Sequence, residues 1–362
     1  MGGKLSAMVL AVCLVSVACG DGGAAEPGSE TTVPRSETTV TTTSETTTSS
    51  AEVAMDQLKV VILPYITYAP YYIAIEEGFF AEQGIEVEVI NMTVTEEVMP
   101  ALSSGQVDVA GPLISVGVLN AIARGADVEI VADKGYIDPA AECVSFSLIG
   151  RSGLVEAGGL ETADQMAGMN VGVVPATWLE YYLAKVLETG GIGLDDIESH
   201  NTGSPSMVDA LASEQLDVVV NSEPWLTIFK SHGHGEVFGT GQEVLPGESV
   251  AVQVYGPNLL NENQELGVRF MTAYLKAVEQ YAEGATERNL DIIEGFTELD
   301  RGLLENMCWP AINPTGEVLV DGVLDFQQFA VDRGYLDEIV PAEDFYDSSF
   351  LEEARKLLEG SG

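Results

Sequence analysis

From Leu58 onward the chain alternates between two hydrophobic rhythms. "LKVVILP" (58–64) is an apolar, β-rich run, and "IEVEVI" (85–90) alternates strictly, as a half-buried strand does. "VDVAG" (107–111), "VEIVADKG" (128–135) and "CVSFSLIG" (143–150) read as further strands. Between them lie segments of helical spacing. Pro70 opens one that runs to about Glu77, where Gly78 suits its end. "VTEEVMPALSSG" is helical despite Pro100, and "ISVGVLNAIARG" stops at Gly125. Strand and helix in turn predict a mostly parallel sheet covered by helices.

The middle of the chain repeats this scheme. "NVGVVPATWLEYYLAKVLETGG" (170–191) is again strand, loop, helix and glycine stop. "ALSSGQVDV" (101–109) aligns without gaps on "ALASEQLDV" (210–218), an offset of 109, and Tyr71–Tyr72 matches Tyr181–Tyr182 at an offset of 110. Two related α/β lobes are the simplest explanation. "SVAVQVYG" (249–256) is a strand suited to returning the chain to the first lobe. After it, Leu266, Phe270, Tyr274, Val278 and Tyr281 recur at helical spacing, so the last hundred or so residues are expected as helices on lobe one.

The first residues carry a different pattern. Lys4 precedes an apolar run from Leu5 to Val17, too short to span a bilayer comfortably, so residues 1–18 read as a secretory signal peptide. "VSVAC" resembles a bacterial lipobox, with Ser16 where a larger apolar residue is usual. Cleavage there leaves Cys19 as the lipid-carrying residue, whose acyl chains supply membrane affinity. Residues 19–55 then form a Ser/Thr-rich stalk without apolar pattern. The folded body divides into lobe one (56–148), lobe two (149–249) and a return to lobe one with C-terminal helices (250–362).

Charge narrows the functions open to such a chain. Lys plus Arg number 15 against 57 Asp plus Glu, a net −42. Nucleic acid and anionic membrane surfaces are excluded as partners, because both depend on cations. Of the four cysteines, Cys13 leaves with the signal and Cys19 carries lipid. Cys143 and Cys308 remain, either paired or as buried thiols. "HGH" (232–234) lacks metal-ligand spacing, and neither a nucleophile elbow nor a phosphate-binding loop occurs. No metal, cofactor or catalysis is expected.

"APYYIAIEEGFFAEQGIEVEV" followed by "ALSSGQVDVAG" resembles the solute-binding proteins of ABC importers, in the branch of nitrate, alkanesulfonate and taurine binders and of thiamine-pyrimidine and riboflavin binders. "LETADQMAGMNVGV", "VNSEPW" (220–225) and the ending "GEVLVDGVLDFQQFAVDRGYL" fit the same branch in the same order, with Met166 and Asn170 departing from its usual residues. The resemblance covers residues 57 to 358. It implies a two-lobed periplasmic-binding fold of type II, each lobe a mostly parallel sheet with flanking helices, joined by crossing strands. It further implies an extracytoplasmic binder tethered by Cys19, serving a permease and its ATPase.

Ligands of open α/β sheets sit beyond the carboxyl ends of the strands. The loops after "VVILP" and "VGVVP" are two such places. Tyr65, Tyr68 and Tyr71 from the first, with Thr177, Trp178 and Tyr181 from the second, are therefore expected to clamp a flat ring. Tyr72 points elsewhere and reads as core. Leu113, Ile114 and Ser115 follow "VDVAG", and Asn221, Glu223 and Trp225 follow "LDVVV". Ser115, Thr177 and Glu223 suit either a helix cap or a ligand contact. Arg124, Lys134 and Arg151 stand at helix or strand ends away from these loops, so a neutral or weakly cationic heterocycle, pyrimidine-like or flavin-like, is favoured. The alternatives are a sulfonate- or nitrate-type anion, a pyrimidine-synthase-like enzyme or sensor on the same fold, and a stalked adhesin.

Overall fold

The computed structural model describes residues 55–92, 97–297 and 299–360. The signal peptide, Cys19 and most of the stalk lie outside the described residues. Among the described residues ten strands form two sheets. The first sheet takes β1 (Asp56–Ile62), β2 (Ile85–Asn91), β3 (Val109–Ala110) and β4 (Glu129–Tyr136). The second takes β5 (Phe146–Arg151), β6 (Asn170–Val173), β7 (Glu198–Asn201), β8 (Val218–Ser222) and β9 (Gly235–Thr240). The last strand, β10 (Ser249–Tyr255), returns to the first sheet between β3 and β4.

The strand orders are β2-β1-β3-β10-β4 and β7-β6-β8-β5-β9, so each sheet carries one antiparallel strand in its fourth place. β10 fills that place in the first sheet and β5 in the second. The chain therefore crosses between the lobes twice, through residues 137–145 and 241–248. Every residue of β10 is buried, which a strand with neighbours on both edges and layers on both faces requires.

Helices of six or more residues are α1 (Ala69–Glu76), α2 (Val98–Ser103), α3 (Val116–Ala123), α4 (Trp178–Thr189), α5 (Ser204–Ala212) and α6 (Trp225–Ser231). After β10 come α7 (Gln264–Tyr281), α8 (Glu287–Phe296), α9 (Arg301–Asn306), α10 (Val320–Asp332) and α11 (Ser349–Gly360). All five residues that predicted α7 from their spacing are buried. Its rings meet α1: Tyr71 lies 6.1 Å from Phe270 and 5.6 Å from Tyr274, centroid to centroid.

The internal repeat is visible atom by atom. Asp108 accepts the Lys59 N–H of β1 at 2.8 Å, and Asp217 accepts the Asn170 N–H of β6 at 3.0 Å. Asp108 thereby ties β1 to the turn before β3, and Asp217 ties β6 to the turn before β8. Gly105 has φ +69°, and the aligned Glu214 has φ +59°. Lobe two thus keeps a left-handed turn without the glycine that makes it inexpensive, at a cost of about 1–2 kcal/mol.

Cys143 and Cys308 form a disulfide with Cα atoms 5.6 Å apart. It joins the first crossing segment to the chain that follows α9, across a sequence separation of 165. Replacing both cysteines by serine is expected to cost about 2–4 kcal/mol, mainly by freeing the unfolded chain. Urea unfolding under non-reducing conditions measures it; an unchanged midpoint would show that the crosslink restrains little.

Candidate functional site

The carboxyl ends of the parallel strands in both lobes face a common cleft. From lobe one it is lined by Leu63, Tyr65, Thr67, Tyr68, Gly111, Leu113, Lys134 and Ala251. Lobe two contributes Phe146, Val174, Thr177 and Ser222. The space left between them is about 30 Å³. That volume holds a water or two and no metabolite, so a larger solute needs the lobes to part.

The lobes meet backbone to backbone. Val116 N–H donates to Ala176 O, and Trp178 N–H donates to Ile114 O, both at 2.9 Å. This pair of bonds zips the loop before α3 to the loop before α4. Ala176 holds φ +57°, an uncommon left-handed conformation for alanine. The buried Glu180 carboxylate fixes it by accepting the Ala176 N–H at 2.8 Å while taking the Tyr335 hydroxyl at 3.1 Å. A third contact pairs the Tyr65 hydroxyl with Ser204 Oγ at 3.3 Å.

Lys134 dominates the chemistry. Its residue is 1 % exposed, inside β4 rather than at a strand end. Nζ donates to Thr67 Oγ1 at 2.9 Å and stands 3.4 Å from the Tyr68 ring centroid, a close cation–π contact. The Tyr68 hydroxyl donates to Gly111 O at 2.5 Å, which locks the ring in place. A Cβ on Gly111 would come within 2.3 Å of Lys134 Cδ and Cε, so bare backbone is what lets the lysine stem pass.

An ammonium has three donors; among the described residues one goes to a hydrogen bond with Thr67, and the Tyr68 face stands against the head group. The neighbouring Asp133 gives it no hydrogen bond. Alternation along β4 turns that carboxylate to the other face, where it accepts Ser249 Oγ at 3.0 Å and the Asn313 N–H at 2.9 Å. Burial pulls the Lys134 ammonium well below its ordinary 10.5, with the Asp133 charge opposing weakly. Thr67, Thr177 and Ser222 add hydroxyls to the same small space.

The sequence candidates divide into three groups. Tyr65, Tyr68, Leu113 and Thr177 line the cleft, the Thr177 hydroxyl donating to Val174 O at 2.7 Å. Ile114 and Ser115 lie in the interlobe zip, where Ser115 Oγ caps α3 by accepting the Val118 N–H at 3.4 Å. The remaining six are elsewhere. Tyr71 sits in the lobe-one core, donating to Gln253 Oε1 at 3.1 Å. Trp178 stacks on Tyr182 at 5.6 Å and meets the edge of Phe146 at 5.6 Å, so it backs the cleft wall from behind. Tyr181 packs on Phe326 and Phe329 of α10 and donates to Glu248 Oε1 at 3.4 Å.

The two-ring clamp of Tyr68 against Trp178 is therefore corrected: Phe146 is the ring that lobe two presents. Side chains in the first turn of α4 lean back onto the sheet, and a wholly buried indole gains most there. Asn221 is buried in lobe two, where its Oδ1 accepts Ser204 Oγ at 3.3 Å. Glu223 does the work of a cap. It accepts Thr227 N–H at 3.0 Å, Thr227 Oγ1 at 2.8 Å and the Cys308 N–H at 3.3 Å. Trp225 packs on the outer cluster of lobe two. Lys134, Thr67, Phe146 and Ser222 were missed. The available signal for Lys134 was a single cation in the strand "VEIVADKG", beside Asp133 and among apolar residues.

With that geometry in hand, known proteins narrow the reading. The model of the NMT1-like family matches residues 51–293. The chain belongs to the NMT1-like family. A Brucella abortus protein named only as a binding protein is 26% identical over 200 residues, 52% of this chain and 62% of that one. The match thus spans less than two thirds of that relative. The formylaminopyrimidine-binding protein of Halalkalibacterium halodurans is 24% identical over 240 residues, 65% of this chain and 69% of its own. Among solved structures, the ligand-binding component of an ABC-type import system from Staphylococcus aureus superposes with a TM-score of 0.70 at 17% identity, covering 83% of this chain and 99% of that one. Sulfonate- and nitrate-binding proteins share the fold, as does a desulfurization enzyme. This NMT1-like chain thus has the architecture of periplasmic solute-binding proteins.

Replacing Lys134 by methionine removes the buried charge and keeps the stem. Lys134→Met is expected to stabilise the ligand-free protein by about 1–3 kcal/mol near neutral pH. The sign follows from linkage. A lysine depressed in the folded state destabilises increasingly as pH falls below 10.5, and not at all well above it. The advantage of the variant should therefore shrink as pH rises toward 10.5. Paired thermal melts across pH test this; a variant less stable at pH 7, or an offset independent of pH, would contradict it.

Proposed function

We propose that this chain is the extracytoplasmic solute-binding component of an ABC importer, performing no chemistry itself, and that its solute bears an anionic or strongly accepting group that docks on Lys134. The observation that carries the reading is the buried Lys134 Nζ in the interlobe cleft, which among the described residues has one hydrogen bond, one ring face and no carboxylate within hydrogen-bonding reach. A solute oxygen arriving there recovers hydrogen bonds that the fold leaves unmade, and charge-assisted bonds in a dry site are the strong ones. Membership of the NMT1-like family and the likeness to importer binding components support the same role.

Lys134 also changes the ranking of solutes. The preference for a neutral or cationic heterocycle rested on a cleft without cations, and that ground is gone. An anionic solute is favoured. A pyrimidine or flavin is the second reading, kept by the formylaminopyrimidine-binding relative and by the Tyr68 and Phe146 rings at the cleft, with a ring carbonyl then accepting from Lys134. In either case binding biases the lobes toward closing around the solute, in a form wider than the shut cleft of about 30 Å³, because only such a form brings both walls to it. The closed form docks on a permease, and lipid on Cys19 with the stalk keeps the protein beside it. An enzyme on this scaffold is disfavoured: no histidine or cysteine lines the cleft among the described residues.

Native mass spectrometry of gently purified protein is expected to reveal a small-molecule adduct. Lys134→Met should weaken that adduct at least about ten-fold, from the 1.5–3 kcal/mol of a hydrogen bond to a charged group. Equal retention by the variant would remove Lys134 from the site.

A further inference from the structure

A second cavity lies beside the cleft on lobe one, with a volume of about 560 Å³. Leu63 and Tyr65 line both spaces. These two side chains stand between the spaces, and the Tyr65 hydroxyl is held by the 3.3 Å contact to Ser204 of the opposite lobe. When the lobes part, Ser204 leaves with lobe two and that tether is lost. The cleft and the groove are then separated by the Leu63 and Tyr65 side chains, the tyrosine no longer held by its hydroxyl.

The groove differs in chemistry from the cleft. Its wall includes Ala69, Tyr72, Ile293 and Phe296, and no lysine or arginine lines it among the described residues. Tyr72 and Phe296 stack at 4.9 Å with an interplanar angle of 20°. Phe296 is nevertheless 39 % exposed, one of few large apolar residues so open among those described. A stacked aromatic pair with one ring left in water offers a face for another flat apolar group.

We propose that the solute site continues past Tyr65 into this groove, so that the solute is elongated: its accepting or anionic end lies on Lys134 and a flat apolar end lies on the Tyr72–Phe296 pair. The proposal rests on the cleft reading above and adds a solute class to it. Continuity through Leu63 and Tyr65 is why the occupant is the solute's own far end. A cleft of about 30 Å³ next to a groove of about 560 Å³ also puts most of the available volume on the apolar side.

Isothermal titration of the intact protein with benzoate, phenylacetate, phenylpropionate and phenylbutyrate tests this, because the head is constant and only the reach of the ring changes. Wild-type affinity should rise by about ten-fold or more along the series. Phe296→Ala should flatten that rise while leaving benzoate within about two-fold, and its melting temperature should stay near wild type because the ring is half exposed. Lys134→Met should weaken all four acids alike. Affinities that are flat in wild type yet fall in Lys134→Met would overturn the groove and spare the anchor. Binding indifferent to Lys134→Met, or absent for every acid, would overturn both.

Discussion

An ammonium held out of water without a carboxylate partner is the condition to which the cleft is built. Burying such a charge is expensive, and proteins normally offset the cost with a hydrogen-bonded counter-charge. Here the adjacent carboxylate, Asp133, is committed to Ser249 and Asn313 on the other side of β4. The cleft instead supplies one threonine hydroxyl and one tyrosine face. Tyr68 is itself pinned by Gly111, and Gly111 lacks a side chain because the lysine stem runs over it. Residues from two other chain segments, 67–68 and 111, thus serve one cation whose binding capacity is left incomplete. That pattern is what the proposed solute site rests on.

The topology explains how such a site can open. Each sheet gives its fourth place to an antiparallel strand, and the strand filling that place in lobe one comes from beyond lobe two. Among the described residues the backbone passes between the two sheets only twice, and α10 adds a side-chain bridge by packing Phe326 and Phe329 on Tyr181 of α4. The C-terminal chain is fastened at both levels: Asn313 to Asp133 of β4, and Cys308 to Cys143 of the first crossing and to Glu223 of lobe two. Closure is sealed at one point by the Val116–Ala176 and Ile114–Trp178 backbone bonds. Polar backbone contacts of this kind exchange readily for water, which suits an interface that must both form and break.

Much of the fold was legible in the pattern of the chain. The buried face of α7 follows from the spacing of five apolar residues, and the 109-residue offset identified two lobes that share an aspartate-anchored turn. The site was legible as a set of loops and less so as side chains. Strand ends fix where a loop lies, which is why Tyr65, Tyr68, Leu113 and Thr177 line the cleft. They do not fix which way the first turn of a helix presents its rings, and Trp178 and Tyr181 turned inward. Lys134 escaped for a related reason. Its direction is set by the register of β4 against β10, a pairing between residues over a hundred positions apart. Likewise Glu223 caps α6 and reaches Cys308, a contact that depends on a disulfide the sequence left open.

The most direct test is to see where a natural solute lies. A crystal structure of the protein carrying whatever solute it retains from the cells that make it would settle the point. The account requires a solute oxygen within hydrogen-bonding distance of Lys134 Nζ, between the walls formed by Tyr68 and Phe146. A solute seated outside the interlobe cleft, or one inside it with Lys134 still bonded only to Thr67, would contradict it.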